Sequence, residues 1–189
     1  MARTTKRKAA PKKKAAPRKK VAEKKVAKKK VVRKKRVTPL PEDFSNISAY
    51  LTVTSVSKAL DFYQKAFGLK VHGEPMRAGR AIIHAVVKHG DSTVMLGGPA
   101  PDGSHGSPAS QGVTSHCFGL YVYVRNVDAH HKQVKRFGGI EVTDPMTMFW
   151  GDRMYDVVDR DGHRWTFASR KSVPTPEQMA AAMAAMMGG

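Results

Sequence analysis

A duplication constrains this chain most. Residues 46–97 and 116–170 match each other at one offset of 71 positions. Tyr50 falls on Tyr121, Val53 on Val124 and Val56 on Val127. Gly68-Leu69-Lys70-Val71 falls on Gly139-Ile140-Glu141-Val142, and Val86-Val87 on Val157-Val158. Each match is sparse, but four separate segments obey the same shift, which points to a module used twice. Each copy opens with an alternating strand (48–53, 119–124), continues into a helix that stops at glycine (Gly68, Gly138-Gly139), and ends in three strands. Those strands are expected at 69–75, 80–88 and 92–97, then at 140–148, 153–159 and 163–169. Ser55 or Ser57 can cap the first helix, and Asp128 is the expected start of the second. Arg160-Asp161-Gly162 reads as a hairpin turn. The fold class is therefore α+β: two βαβββ modules within residues 46–170, joined by a Gly/Pro/Ser-rich linker at 98–115.

The flanks are different. Residues 1–37 hold 19 of the 34 Lys and Arg and a single acid, Glu23, for a net +18; the remaining chain is close to neutral at +1. They contain no aromatic residue, and prolines interrupt their Ala and Val. Such a stretch cannot bury enough apolar surface to offset ordering, so residues 1–40 are expected to be a disordered polycationic tail. Its clusters are Lys12-Lys13-Lys14, Lys28-Lys29-Lys30 and Arg33-Lys34-Lys35-Arg36. Neutralising phosphates with these groups releases counterions, so the tail is expected to bind DNA or RNA without regard to sequence. With no aromatic interleaved, it offers no base stacking. The composition is similar to the Lys/Ala/Pro tails of linker histones and histone-like bacterial proteins. A solvated tail that only confers solubility is the plainer alternative. At the other end, residues 175–187 read as a helix: Thr175 as N-cap, Pro176 at the first position and Gln178 completing a capping box. Its Met179, Met183, Met186 and Met187 form an apolar face suited to packing on the domain or on a second copy.

One cysteine, Cys117, excludes a disulfide framework and suits a reducing compartment. No apolar run is long enough for a membrane span, and no secretory h-region follows the basic start. The expected location is cytoplasmic and nucleoid-associated, or nuclear in a eukaryote.

Several motifs are more specific. Ala59-Leu60-Asp61-Phe62-Tyr63, Ala66-Phe67-Gly68, Ile83-His84-Ala85, Phe149-Trp150-Gly151-Asp152-Arg153 and Asp161-Gly162-His163-Arg164-Trp165 together resemble the vicinal oxygen chelate superfamily. That group includes glyoxalase I, extradiol dioxygenases and bleomycin-binding proteins; the similarity is strongest to a glyoxalase-like branch often labelled demethylubiquinone methyltransferase-like. Arg160-Asp161 departs from the Pro-aromatic pair usual in that branch, which alters a turn. The resemblance implies a cup formed by the open sheet faces. It also implies that metal-using members would place donors at Ser48, Met95, Gly119 and Thr166. None of these is His, Asp, Glu or Cys, as a divalent ion requires, so no cofactor or metal is expected. His84 shares the cup face, whereas adjacent His130 and His131 lack ligand spacing. His116 and Cys117 point to opposite faces of a strand and cannot form a dyad; Cys117 reads as a small residue within the pocket.

The candidate ligand pocket is thus Ser48, Tyr50, His84, Met95, Cys117, Gly119, Tyr121, Trp150, Arg153 and Thr166, with Arg153 as a fork for an anionic ligand. The expected function is metal-free binding of an unidentified small molecule by a homodimer held on nucleic acid by the tail. The alternatives are a metal-dependent lyase or dioxygenase, and a dimeric nucleoid-associated architectural protein.

Overall fold

The computed structural model describes residues 44–114 and 118–187, with Met1, Pro39 and Pro41. The tail's lysine and arginine clusters, His116 and Cys117 lie outside these residues. The first module runs β1 (Ala49–Thr52), α1 (Val56–Lys65), β2 (Lys70–Ala78), β3 (Ala81–His89) and β4 (Ser92–Gly97). The second runs β5 (Gly119–Tyr123), α2 (Val127–Lys135), β6 (Glu141–Val142), β7 (Met146–Thr147), β8 (Asp152–Val158) and β9 (Arg164–Arg170), and α3 (Pro176–Met187) follows. The first sheet has the order β1-β4-β3-β2 and the second β5-β9-β8-β6, with β7 also on β8. In both, the first strand pairs parallel with the last and the remaining pairs are antiparallel.

Local chemistry explains the element ends. Gly68 takes a left-handed φ of 69°, and the Leu69 amide reaches back to the Tyr63 carbonyl at 3.1 Å, closing α1. Ser55 occupies the N-cap of α1 without using its hydroxyl. The N-cap of α2 is Asn126, whose side chain accepts from the Ala129 amide at 3.0 Å. Asp128 instead lies inside the first turn, which corrects the expected start. The strand expected over 140–148 splits into β6 and β7. Thr143 bonds Asp156 through both its amide and its hydroxyl, and Pro145, two residues on, has no N–H to give the ladder. The capping box of α3 forms as its sequence predicts: Gln178 N donates to Thr175 Oγ1 and Thr175 N to Gln178 Oε1. Met183 and Met186 nevertheless stay exposed rather than packing on the domain. Among the described residues no helix is long and apolar enough to cross a membrane.

One apolar core serves both modules. Tyr63 of α1 and Phe67 just beyond its end pack on Trp165 at 5.2 and 5.1 Å, and Phe67 meets Phe167 at 4.9 Å. Burying each such ring contributes about 1.5–3 kcal/mol. α2 then caps the end of α1. His130 Nε2 donates to the Phe67 carbonyl at 3.1 Å, and Gln133 Nε2 to the Lys65 and Ala66 carbonyls at 3.0 Å. Because the carbonyl can only accept, His130 Nδ1 is the acceptor for the Tyr155 hydroxyl, 2.7 Å away. Neighbouring His131 is buried, and its Nε2 finds no hydrogen-bond partner among the described residues.

Burial holds His130 below the ordinary imidazole value of 6.5, against the opposing Phe67 carbonyl bond. A depressed folded pKa means that the unfolded chain takes up the proton first. His130 therefore contributes its full stabilisation above pH 6.5, and that contribution is lost as pH falls through the folded pKa. The slope can reach about 1.4 kcal/mol per pH unit. Thermal melts at pH 7.5 and 5.5 should show a smaller acid shift for His130→Gln than for the wild type; equal shifts would exclude this residue as the origin.

Candidate functional site

Strand parity assigns each side chain to a face. In the first module, Ser48 and Tyr50 lie on the sheet face away from the core, while Leu51 is buried on the other. Tyr50 stands opposite Met95 in register and 5.9 Å from the His84 ring. Its hydroxyl lies where a side chain on Gly97 would have to go. Ser48 shares its hydroxyl with Thr93, with Ser45 closing the cluster at 3.2 Å.

The second module carries the denser arrangement. Tyr121 and Tyr123 of β5 both donate to Asp152 Oδ2, at 2.9 and 2.7 Å. Arg170 at the end of β9 reaches Asp152 Oδ1 through Nε at 3.4 Å, and Tyr123 Oη through a terminal nitrogen at 3.4 Å. Burial pushes the Asp152 carboxyl upward. The hydrogen bonds from Tyr123, Tyr121 and Arg170 outweigh it and leave the group below its ordinary value. Burial and the bond to Asp152 push Tyr121 up to about 12, so at neutral pH it is a donor and not a phenolate base. Thr166, earlier in β9, donates to Asp156.

The Phe149–Arg153 motif now has a division of labour. Trp150 forms a wall. Gly151, at φ 96°, takes both the Lys171 and Ser172 amides on its carbonyl at 2.8 and 3.1 Å, and any Cβ there would overlap the Ser172 carbonyl oxygen. This clasp fixes the loop against the segment leading to α3. Asp152 is the buried hub. Arg153 points the other way, toward α2, where it forks Asp128 at 2.9 and 2.8 Å; that pair holds Asp128 below the usual carboxylate value.

Two cavities follow. One, of about 460 Å³, lies between Tyr121, Tyr123, Trp150, Asp152, Arg170 and the Pro174–Met179 segment. Another, of about 590 Å³, lies where the β1 and β5 edges meet, with Ser48, Thr93, Phe118 and Tyr121 on its walls. A smaller groove beside the start of α1 is floored by Tyr63 and Asp159, which are bonded to each other. Of the pocket residues expected from sequence, Tyr121 and Trp150 share the first cavity, and Ser48 and Tyr121 share the second. Tyr50, His84 and Met95 are neighbours on the first sheet, Gly119 and Thr166 belong to the second, and Arg153 is apart. Sequence parity missed Arg170, although it shares a face with Thr166 four residues earlier.

The residues at positions 48, 95, 119 and 166 do not fit a divalent ion. Ser48 and Thr166 spend their hydroxyls on neighbours, glycine has no side chain, and a thioether is a soft, weak donor. Among the described residues no three His, Cys, Asp or Glu side chains converge to hold one.

The sheet order and the open faces define the class, and comparison with known proteins agrees. Residues 46–167 match the family model of the glyoxalase/bleomycin resistance protein/dioxygenase superfamily. The chain belongs to that superfamily. It is 30% identical to uncharacterized proteins of Mycobacterium bovis and Mycobacterium tuberculosis over 146 residues, covering 76% of this chain and 95% and 85% of theirs. Among solved structures it is similar to TioX from a Micromonospora species: 25% identity, TM-score 0.52, covering 69% of this chain and all of that one. The bleomycin-binding protein of Streptomyces verticillus, solved with copper(II)-bleomycin, shares 18% identity at TM-score 0.47, covering 68% of this chain and 98% of that one.

Proposed function

We propose that the domain binds a small organic molecule on its open sheet faces without a metal, and that the basic tail holds the protein on nucleic acid. The observation that carries the first half is the pairing of two features. Tyr121 and Tyr123 stand half-exposed over cavities (46% and 49%) and Tyr50 stands 54% exposed on the open face of the first sheet, while the four positions suited to metal donors carry none. Large rings left in water on a sheet face favour a ligand or a partner surface. The same exposure, with Met76 and Phe118 also open, supports a homodimer in which a second copy covers part of these faces. The second half rests on composition alone: +18 within 37 residues draws polyanions whatever else it does. Binding through it is independent of sequence, and the cytoplasmic nucleoid is the expected place.

Elemental analysis of the purified chain, run beside a thermal-shift screen of small molecules, tests the domain. Substoichiometric divalent metal and at least one ligand raising Tm are expected. One tightly held divalent ion per chain would favour a lyase or dioxygenase instead. No shift from any ligand, with nucleic-acid binding intact, would favour an architectural protein.

A further inference from the structure

We propose that the cavity between β5, β9 and Trp150 takes a planar aromatic ligand bearing an anionic group, with Arg170 as its anchor. This rests on the small-molecule reading above and narrows it to a ligand class. The walls set the shape. Tyr121, Tyr123 and Trp150 offer ring faces and edges, and Pro174 and Met179 close the opposite side. Flat, polarisable surfaces of this kind select flat, apolar bodies. The Gly151 clasp makes Trp150 a fixed wall, because the Lys171 and Ser172 amides both end on the Gly151 carbonyl. A preformed slot costs a ligand less ordering than a loose one.

The charge inventory decides the sign. A carboxylate and a guanidinium both line the cavity. Asp152 is almost fully buried, Oδ2 already takes two tyrosine hydroxyls, and Oδ1 faces Arg170. It has little left to offer a cation. Arg170 is the reverse case. Its side chain is 60% exposed, it sits 5.8 Å over the Tyr123 ring, and its two hydrogen bonds are both 3.4 Å long. A guanidinium has five donors in a fork that matches a carboxylate, sulfonate or phosphate. Asp152 and Tyr123 therefore act as positioning residues that hold the fork at the rim, and Arg170 meets the ligand. The anionic fork that the sequence suggests at Arg153 belongs on this neighbouring strand, because Arg153 is already spent on Asp128.

Two fluorescent probes separate the parts of the proposal: 1-anilinonaphthalene-8-sulfonate, and N-phenyl-1-naphthylamine, the same ring system without the sulfonate. The full chain is titrated with each at about 0.3 M salt, which screens the tail. Quenching of Trp150 is the readout. The other tryptophan, Trp165, is fully buried, and a Trp150→Phe chain identifies the signal. The sulfonate probe is expected to quench Trp150, and Arg170→Met to weaken it about tenfold or more. The neutral probe should change less than about twofold, because the ring walls remain. Arg170→Lys should restore part of the loss and guards against misfolding of the Met variant. Equal sulfonate binding by wild type and Arg170→Met would overturn the anchor while leaving a small-molecule site standing. Failure of both probes to quench Trp150 would overturn the cavity assignment; only an additional blank thermal-shift screen would bring down the broader reading.

Discussion

Replacing Asp159 by alanine is expected to lower the unfolding free energy by about 4 kcal/mol. The side chain is buried where the β8–β9 turn meets α1, and each oxygen takes two bonds. Tyr63 Oη and Trp165 Nε1 donate to Oδ2 at 2.6 and 2.9 Å. The Asp161 and His163 amides donate to Oδ1 at 3.0 and 2.9 Å. Alanine strands the two aromatic donors inside the core, at about 1–3 kcal/mol apiece, and loosens a turn that sets the start of β9. Water can reach the amides more easily, so they add less. In the native chain, burial first and then the Asp159 charge push the Tyr63 hydroxyl well above its ordinary value, so at neutral pH it is a donor that depends on this carboxylate. Asp161→Ala is the control: among the described residues its carboxylate takes the exposed Thr54 amide alone, and the change should cost under about 1 kcal/mol. Denaturant unfolding followed by near-ultraviolet circular dichroism compares them. Similar midpoints for the two variants would remove Asp159 from the centre of the fold.

Asp159 also shows where sequence reasoning stops. Asp159-Arg160-Asp161-Gly162 reads locally as turn chemistry, and half of that is right: Oδ1 does tie the turn. The other half joins residues 96 positions apart, and no local pattern signals it. The duplication behaves differently because it is a pattern. Strand, helix and hairpin starts recur at 71 since both copies obey the same periods and stop at glycines. The start of α2 is misplaced by sequence reading, which takes Asp128; the cap is Asn126, whose side chain accepts from the Ala129 amide, and Asp128 in the first turn pairs with Arg153. The pocket was harder. Period-2 parity carries a face along one strand but cannot be phased across the 148–151 loop. Hence Arg153 looked like a pocket residue, while Asp152, one residue earlier, holds the network. Arg170 was legible by counting forward from Thr166, but its value depends on Trp150 and Pro174, which only the tertiary fold brings near.

Deleting residues 2–37 is expected to abolish retention on DNA at low salt while leaving the domain's melting temperature unchanged. Among the described residues, the core that holds the domain together begins at Leu51, so the melting temperature is expected to hold. The charge has almost everything to lose, falling from +19 to about +1. For the intact chain, each phosphate contact contributes about −0.9 to the slope of log affinity against log salt. Eighteen net positives need not all engage. Ten contacts would give a slope near −9 and a loss of about 10⁵ in affinity between 50 and 200 mM salt. Retention on a DNA column across a salt gradient, with unrelated DNA sequences of equal length, measures both the slope and the indifference to sequence. Full binding by the truncated chain would move the nucleic-acid site onto the domain. A shallow slope for the intact chain would mean that the lysines are solvated rather than engaged. A steep slope shared by all sequences leaves the domain free to choose a small ligand while the tail, on charge alone, decides where that choice is made.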